Sequence, residues 1–402
     1  MSLGTTVHST CDIAIVGGGL AGQLCVLALA ARAPSLSVVL VERGATLGGN
    51  QTWCCQTSDL GGAPSLASWF RPLVDNRWDG YRVSFPTFER TLDGEYLCLR
   101  SASLARATEH ALARNGWSLM AGHQVEEVTA THVRLSGGDT LTAGLVLDAR
   151  GGDLHRYEGR SGYQKFLGWE IDVEANRGQL PTLPLLMDAT VEQIDGYRFV
   201  YALPFSPTRL LVEDTYFSRS KDLDLGAVRA RLDAYLLVRG IRQCALVREE
   251  VGVLPMPWSE PSRRADNRLA IGYRGGFFHP GTGYSLPRAA RVADSLARLA
   301  AMVPTAEMAR AAGMALNDLR AVFRGDDQFA RLLNRLAFRV VPPARLRDQV
   351  FAPVYGLPAP MLARFYAGRT SLRDRLAIAA APAGVRLFRQ TVEQHSLLGE
   401  SP

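Results

Sequence analysis

The sequence predicts an α/β fold. A discontinuous Rossmann-type domain carries an inserted antiparallel-sheet domain and is followed by a helical C-terminal region. Three observations predict it. Asp12-Ile-Ala-Ile-Val-Gly-Gly-Gly-Leu-Ala-Gly22 reads as a buried strand, a glycine-rich turn and the start of a helix. Residues 156–250 interrupt this pattern with short strand-like runs and turn signals. From Leu286 onward most of the chain has helical periodicity.

The first element carries the most chemistry. Gly17, Gly19 and Gly22 fall on the G-x-G-x-x-G spacing of a dinucleotide-binding crossover. The first glycine permits the tight turn, the second admits a pyrophosphate to the backbone, and the third lets helix and strand pack closely. The helix N-terminus offers unpaired N–H groups to phosphate charge. Ser37-Val-Val-Leu-Val-Glu42 supplies a second strand ending in an acid placed to hold a ribose hydroxyl. Gly48-Gly49-Asn50 follows as a loop.

A helix is expected from a Ser103 cap to about Asn115, with Leu104, Ala107, Ala111 and Leu112 on one face. Short strands are expected at Ser118–Met120, Val125–Val128 and His132–Leu135, and residues 144–148 form another that ends in Asp148. In the inserted unit the runs Met187–Val191, Arg198–Leu203 and Arg209–Phe217 read as strands, with turns at Asp195-Gly196 and Ser206-Pro207. Residues 268–272 read as a strand returning to the first unit. A helix then runs from Leu286 to about Met302, with Pro287 tolerated in its first turn. The helical remainder breaks near Pro342-Pro343 and Pro358–Pro360. The expected division is 10–55, 101–155 and 255–302 for the nucleotide domain, 56–100 and 156–254 for the substrate domain, and 303–402 for the helical region.

Composition narrows the function classes. At 402 residues the chain is long enough for two or three lobes, and 47% hydrophobic with 21% charged residues suits a globular enzyme. No apolar run approaches the roughly 20 residues of a membrane span. Met1-Ser-Leu-Gly-Thr-Thr has neither a basic nor an apolar leader segment, so the expected compartment is the cytoplasm. Cys11, Cys25, Cys54, Cys55, Cys98 and Cys244 contain no C-x-x-C pair, so neither a metal site nor a redox dithiol is expected. From Arg331 to Pro402 eleven arginines face Asp348, Asp374, Glu393 and Glu400, a formal +7 against +6 for the whole chain. This basic end suggests an anionic partner such as a lipid surface. Nucleic acid is not expected, because no helix-turn-helix, zinc or aromatic RNA-binding pattern is present.

A strand set interrupted by an antiparallel insertion and resumed late fits flavoproteins better than classical dehydrogenases. Leu147-Asp-Ala-Arg-Gly151 matches the D-x-R-G turn of flavin monooxygenase-like proteins, and Ile271-Gly272 through Gly283 resembles their third nucleotide-contacting segment. The expected cofactor is therefore FAD. Its expected contacts are Gly17, Gly19, Gly22, Glu42, Gly49, Asp148, Gly272, Pro280, Gly281 and Gly283.

A closer resemblance lies inside the second unit. Met187-Asp-Ala-Thr190, Gly196-Tyr-Arg-Phe-Val-Tyr201, Leu211-Val-Glu-Asp-Thr215, Phe278-His-Pro280 and Thr282-Gly-Tyr-Ser-Leu-Pro287 resemble segments of bacterial lycopene beta-cyclases. Tyr355-Gly-Leu-Pro358, Arg364-Phe-Tyr-Ala-Gly368, Gly48-Gly49-Asn50 and Thr52-Trp53 do so too, and the order is kept over essentially the whole chain. Departures fall at the ends and at Cys54-Cys55, and the family's glycine turn varies, which weakens Gly22 relative to Gly17 and Gly19. The resemblance implies ring closure on the ends of lycopene and related linear carotenoids and a reduced FAD; NAD(P)H is the expected source of its electrons. It also implies Glu213 as the essential acid.

The residues suit that chemistry. An alkene is a poor base, so its proton donor must be neutral and held against the apolar chain. A desolvated carboxylic acid has a raised pKa and meets both needs. Glu213 follows Leu210, Leu211 and Val212 and precedes Tyr216 and Phe217. On a strand, Leu211, Glu213 and Thr215 share a face and Asp214 points the other way, where it would orient a partner or close a salt bridge. A solvated face, or pairing with Arg198 or Arg209, is the competing reading, and pairing would lower the pKa. The resulting cation needs a dry pocket with aromatic walls, for which Trp53, Tyr197, Phe199, Tyr201 and Tyr284 are candidates. Core packing is the better reading of any single one of them taken alone.

A C40 hydrocarbon partitions into lipid, so peripheral contact with the inner face of the cell membrane is expected, and contact with other carotenoid enzymes is open. In Met361–Ile378, Met361, Leu362, Phe365, Tyr366, Leu372 and Leu376 fall near one helical side among Arg364, Arg369, Arg373 and Arg375. Ordinary docking of these helices on the protein is the alternative. Two rival functions remain at this level. One is a flavin oxidoreductase, such as a hydroxylase or polyprenyl reductase, and the other is a lipid-binding flavoprotein without catalysis.

Overall fold

The computed structural model describes residues 8–61, 64–174, 180–260 and 269–381. The chain opens with β1 (His8–Val16), α1 (Leu20–Arg32) and β2 (Val38–Glu42). β1 and β2 are parallel, paired from Ile13–Val38 to Val16–Val41. Two glycines explain the tightness of the turn between β1 and α1. Gly17 has φ 111°, and a Cβ there would sit 2.7 Å from the Ala149 carbonyl oxygen. A Cβ on Gly22 would sit 2.0 Å from the Gly17 carbonyl oxygen, so only glycine lets α1 close on the turn.

The next segment holds β3 (Thr52–Gln56), α2 (Pro64–Phe70), β4 (Asn76–Phe85), β5 (Phe88–Arg100) and α3 (Ser101–Arg114). α3 begins two residues before the expected Ser103 cap. Ser103 lies inside the first turn, where its hydroxyl donates to Asp75 at 2.5 Å. Four strands follow: β6 (Ser118–Ala121), β7 (Val125–Val128), β8 (His132–Leu135) and β9 (Thr140–Asp148). The first sheet has the order β6-β2-β1-β9-β8-β7. Its β6-β2-β1-β9 part is parallel, while β8 pairs antiparallel with both β9 and β7.

The inserted strands are β10 (Ser161–Val173), β11 (Leu185–Asp188), β12 (Tyr197–Ser206), β13 (Arg209–Ser218) and, after α4 (Leu225–Val238), β14 (Cys244–Pro257). They join β3, β4 and β5 in a second sheet of order β14-β10-β13-β12-β11-β4-β5-β3. Two details differ from expectation. Thr52–Gln56 pairs with β5 in this second sheet. The return at 268–272 is a single parallel bridge, Asp148 to Ala270, with Arg268 outside the described residues.

Then come α5 (Leu286–Ala300), α6 (Met308–Arg335), α7 (Ala352–Tyr355) and α8 (Ala359–Tyr366). Between α6 and α7 the backbone winds into π-helical turns at Leu336–Val340 and Arg347–Phe351, separated by Pro342-Pro343. Three of the hydrophobic cores among the described residues position the site. One joins α1, α3 and α5 to β1, β2 and β9. A second lies between one face of the second sheet and the C-terminal helices, and a third between the other face and α4.

The C-terminal expectations need correction. The apolar stripe of Met361–Ile378 is not one helical side. α8 ends at Tyr366, and a new helix starts at 372. Met361 and Leu362 are buried, Phe365 and Tyr366 pack against protein, and only Leu372 and Leu376 are exposed. Arg386 and Arg389 lie outside the described residues. Among the described residues no helix is long and apolar enough to cross a membrane.

Candidate active site

Strand alternation on β13 builds the site. Glu213, Thr215 and Phe217 face a cavity of about 350 Å³, while Val212, Asp214 and Tyr216 face α4 and the third core. Phe199 and Tyr201 on β12, Trp53 and Cys54 on β3, and Tyr284 complete much of the wall. The opposite wall comes from the C-terminal region, through Phe338, Phe351, Tyr355 and Tyr366 among others. Tyr197, expected in this wall, lies one layer behind it. Its ring stacks on Phe351 at 4.2 Å, and its hydroxyl donates to Met187 Sδ at 2.8 Å.

Glu213 is 7% exposed. Burial first, then a hydrogen bond and charge repulsion from Glu250, push its carboxyl well above the usual carboxylate range. Cys54 adds to the rise, and Arg248 opposes it. Neither arginine considered from sequence pairs with Glu213. Arg198 binds Asp214 at 2.7 Å, and Arg209 binds Asp172 and Glu170. Asp214 is fully buried on the far face, held by Arg198 and by the Tyr216 hydroxyl at 2.6 Å. Asp214 does not line the cavity; it closes a salt bridge on the opposite face, so a direct catalytic part for it beside Glu213 is not what the geometry supplies.

The Glu250 contact was not legible from sequence. Gly168 on β10 pairs with Glu213 on one side and with Glu250 on the other. A Cβ on Gly168 would sit 2.5 Å from Glu213 Cγ and 3.2 Å from Glu250 Cγ, so the missing side chain lets the two carboxyl groups meet. An isolated glycine inside a strand was the available signal.

The tyrosine hydroxyls at and just behind the cavity wall stay protonated. The hydroxyls of Tyr96 and Tyr201 lie 3.1 Å apart, those of Tyr96 and Tyr284 3.4 Å, and burial pushes all three phenols up. Behind the wall His279 is hydrogen-bonded to Thr282, and burial, aided by the Arg288 charge, pushes it down to about 3, so its ring is uncharged at neutral pH.

A second cleft of about 620 Å³ lies at the C-terminal end of the first sheet. Of the expected cofactor residues, Gly17, Gly19, Glu42, Gly49 and Gly272 line it. Gly281 and Gly283 line the acid cavity instead. Gly22 packs the helix on the turn, and the Pro280 carbonyl accepts from Asn334 Nδ2 at 2.7 Å. Asp148 stands behind the cleft and pairs with Arg150 at 2.8 Å and Arg274 at 2.7 Å, both of which line it. Glu42 accepts N–H groups of Gly18 at 2.6 Å and Gly44 at 2.7 Å. Gln51, Trp53, Tyr273 and Ser285 belong to both cavities, so the acid cavity and the cleft adjoin.

Solved structures share this fold. Among solved structures, a geranylgeranyl bacteriochlorophyll reductase-like protein from Thermoplasma acidophilum superposes with TM-score 0.61 at 14% identity, over 93% of this chain and 96% of that one. A flavin-dependent brominase gives 0.61 at 14% identity, over 95% and 100%. At such identity these show the fold, the one used by flavin-dependent enzymes. Two curated relatives lie much nearer in sequence. The lycopene beta-cyclase of Pseudescherichia vulneris is 39% identical over 91% of this chain and 92% of its own. That of Paracoccus sp. is 39% identical over 92% and 93%. The family model described as lycopene cyclase protein matches residues 12–391, which include both strands that bring Glu213 and Glu250 together, and the chain belongs to the lycopene cyclase family.

Proposed function

We propose that the protein closes the linear psi-ends of lycopene into beta-ionone rings, giving gamma-carotene and then beta-carotene, with no net redox change. One observation carries this reading: a carboxyl group in an apolar, aromatic-walled cavity, with no cation paired to it among the described residues and its pKa raised by burial. Glu213 donates its hydrogen to a terminal double bond. An internal alkene attacks the cation, and a proton leaves the new ring. Trp53, Phe199, Tyr201 and Tyr284 turn ring faces or edges to the cavity, exclude water that would quench the cation, and favour positive charge.

The cleft residues fit FAD. A pyrophosphate has room at Gly19, where an added Cβ would meet nothing within 4 Å, and no side chain caps the α1 N-terminus. Glu42 is placed for a ribose, with each oxygen holding one N–H and keeping a lone pair. Gly17, Gly49, Gly272, Arg150 and Arg274 would complete the site. Reduced flavin supplies negative charge that lowers the barrier to a nearby cation in a low-dielectric site, with NAD(P)H as its source of electrons.

The substrate's solubility implies a lipid surface. Leu336 and Ala379 line the acid cavity and are also exposed, so they mark its mouth. Exposed Leu332, Val340, Leu372 and Leu376 flank it, with Arg335, Arg339 and Arg373 among them. This basic, apolar rim suits peripheral contact with the inner face of the cell membrane.

Anaerobic incubation with lycopene and chemically reduced FAD, followed by chromatography, tests the reading. Cyclic isomers without stoichiometric loss of reductant support it. A reduced or hydroxylated product, or no product, overturns it.

A further inference from the structure

We infer that Glu250 is the positioning partner of Glu213: the two carboxyl groups form a dyad across Gly168 that holds a single hydrogen. The inference rests on the acid role given to Glu213 above. Three strands set the geometry. β13, β10 and β14 run side by side, and Glu213, Gly168 and Glu250 occupy one line across them. Both side chains fold over the bare Gly168 backbone.

The hydrogen-bond inventory then counts the protons. Glu250 is 1% exposed. Its Oε2 accepts from Arg248 and, at 3.1 Å, from Thr52. Its Oε1 is buried and, among the described residues, receives nothing from any group in its ordinary ionised state. A buried carboxylate oxygen without a donor is costly, and the adjoining Glu213 carboxyl supplies one if it keeps its hydrogen. Two neighbouring carboxylates cannot both be charged at small cost, and two neutral acids would waste the Arg248 contact. One proton for the pair satisfies every group.

Arg248 fixes where the charge rests. It also bonds Glu170 at 3.0 Å and Thr52 at 2.9 Å. Glu170 is held in turn by Arg100 and Arg209. This polar chain leads away from the cavity toward half-exposed arginines. Negative charge on Glu250 is thus stabilised, and the hydrogen stays on the member that faces substrate. When Glu213 has given up its hydrogen, the pair is the local base able to take back the proton lost from the ring. Atoms balance: one carbon–hydrogen bond forms, another breaks, and the dyad is restored.

The groups facing Glu213 bound the pH prediction. They are Cys54 from β3, Tyr201 from β12, and Glu250 with Arg248 from β14; at this position β10 contributes only Gly168. Catalysis needs Glu213 protonated, so activity falls as pH rises through its raised pKa. Glu250→Gln removes the repulsion and turns an acceptor into an amide donor. Both changes favour ionised Glu213.

The test uses the purified full chain loaded with reduced flavin. For Glu250→Gln the alkaline limb of the kcat profile should move down by about one pH unit or more, with KM nearly unchanged. The infrared carbonyl band of a protonated carboxylic acid, present at neutral pH and absent in Glu213→Gln, should weaken. Gly168→Ala, which wedges the pair apart without altering either acid, should move both readouts the same way. An unchanged limb and band in a folded Glu250→Gln or Gly168→Ala protein overturns the dyad. Full activity in Glu213→Gln instead overturns the acid role itself.

Discussion

At the level of single residues, the two acids of one dipeptide have separate duties because a strand points them to opposite faces. Glu213 faces an apolar cavity, where burial raises its pKa, whereas Asp214 faces the third core and neutralises Arg198. Glu213→Gln should lower kcat by roughly 10²–10⁴-fold, the usual contribution of general acid catalysis, while flavin content stays that of the parent. Steady-state kinetics with flavin absorbance read both. Asp214→Ala should act differently. It leaves the Arg198 guanidinium, 5% exposed, without its carboxylate, and should cost about 3–5 kcal/mol of stability in denaturant unfolding. A small loss of stability with a large loss of activity would reverse these assignments. The opposite directions of the two acids were legible in the sequence, because period-two alternation needs only the strand assignment. Glu250 was not legible. Its meeting with Glu213 depends on which strand lies between them, and β10 is buried on both faces and shows no alternation.

At the level of elements, the glycine crossover is the most readable part of the chain. Strand, turn, helix and acid stand where the spacing puts them, since each glycine answers a local steric demand. Gly22→Ala should abolish flavin retention through gel filtration, because its Cβ would sit 2.0 Å from the Gly17 carbonyl and drive α1 off the turn. Normal flavin content in that variant would contradict the packing role. The C-terminal region was the least readable. Apolar residues at helical spacing suggested a free amphipathic face, yet Met361, Leu362, Phe365 and Tyr366 pack against protein. Periodicity reports that a face is apolar and not what covers it. The π-helical turns at Leu336–Val340 and Arg347–Phe351 also escape pattern reading, and they bring Phe338 and Phe351 to the cavity wall.

At the level of the whole molecule, two adjoining cavities divide the work. The cleft on the parallel sheet is glycine-lined and the more polar of the two, and the cavity on the antiparallel sheet is apolar and, among the described residues, holds one acid. Trp53 and Tyr273 stand where the two meet. The mouth of the apolar cavity opens beside exposed leucines and arginines. Replacing Leu372 and Leu376 together by Asp should lower the fraction floating with anionic liposomes several-fold while leaving turnover of detergent-dispersed substrate intact. Equal flotation would place the lipid contact elsewhere.

The role of Glu213 as a donor of solvent-derived hydrogen can be weighed directly on the product. Lycopene is converted anaerobically by the flavin-reduced protein in deuterated water, and the carotenoid is analysed by mass spectrometry. The expected product is an isomer of lycopene carrying up to one deuterium per ring, with none transferred from a labelled reductant. A product heavier by added hydrogen or oxygen, or one that takes its label from the reductant, would contradict acid-driven ring closure.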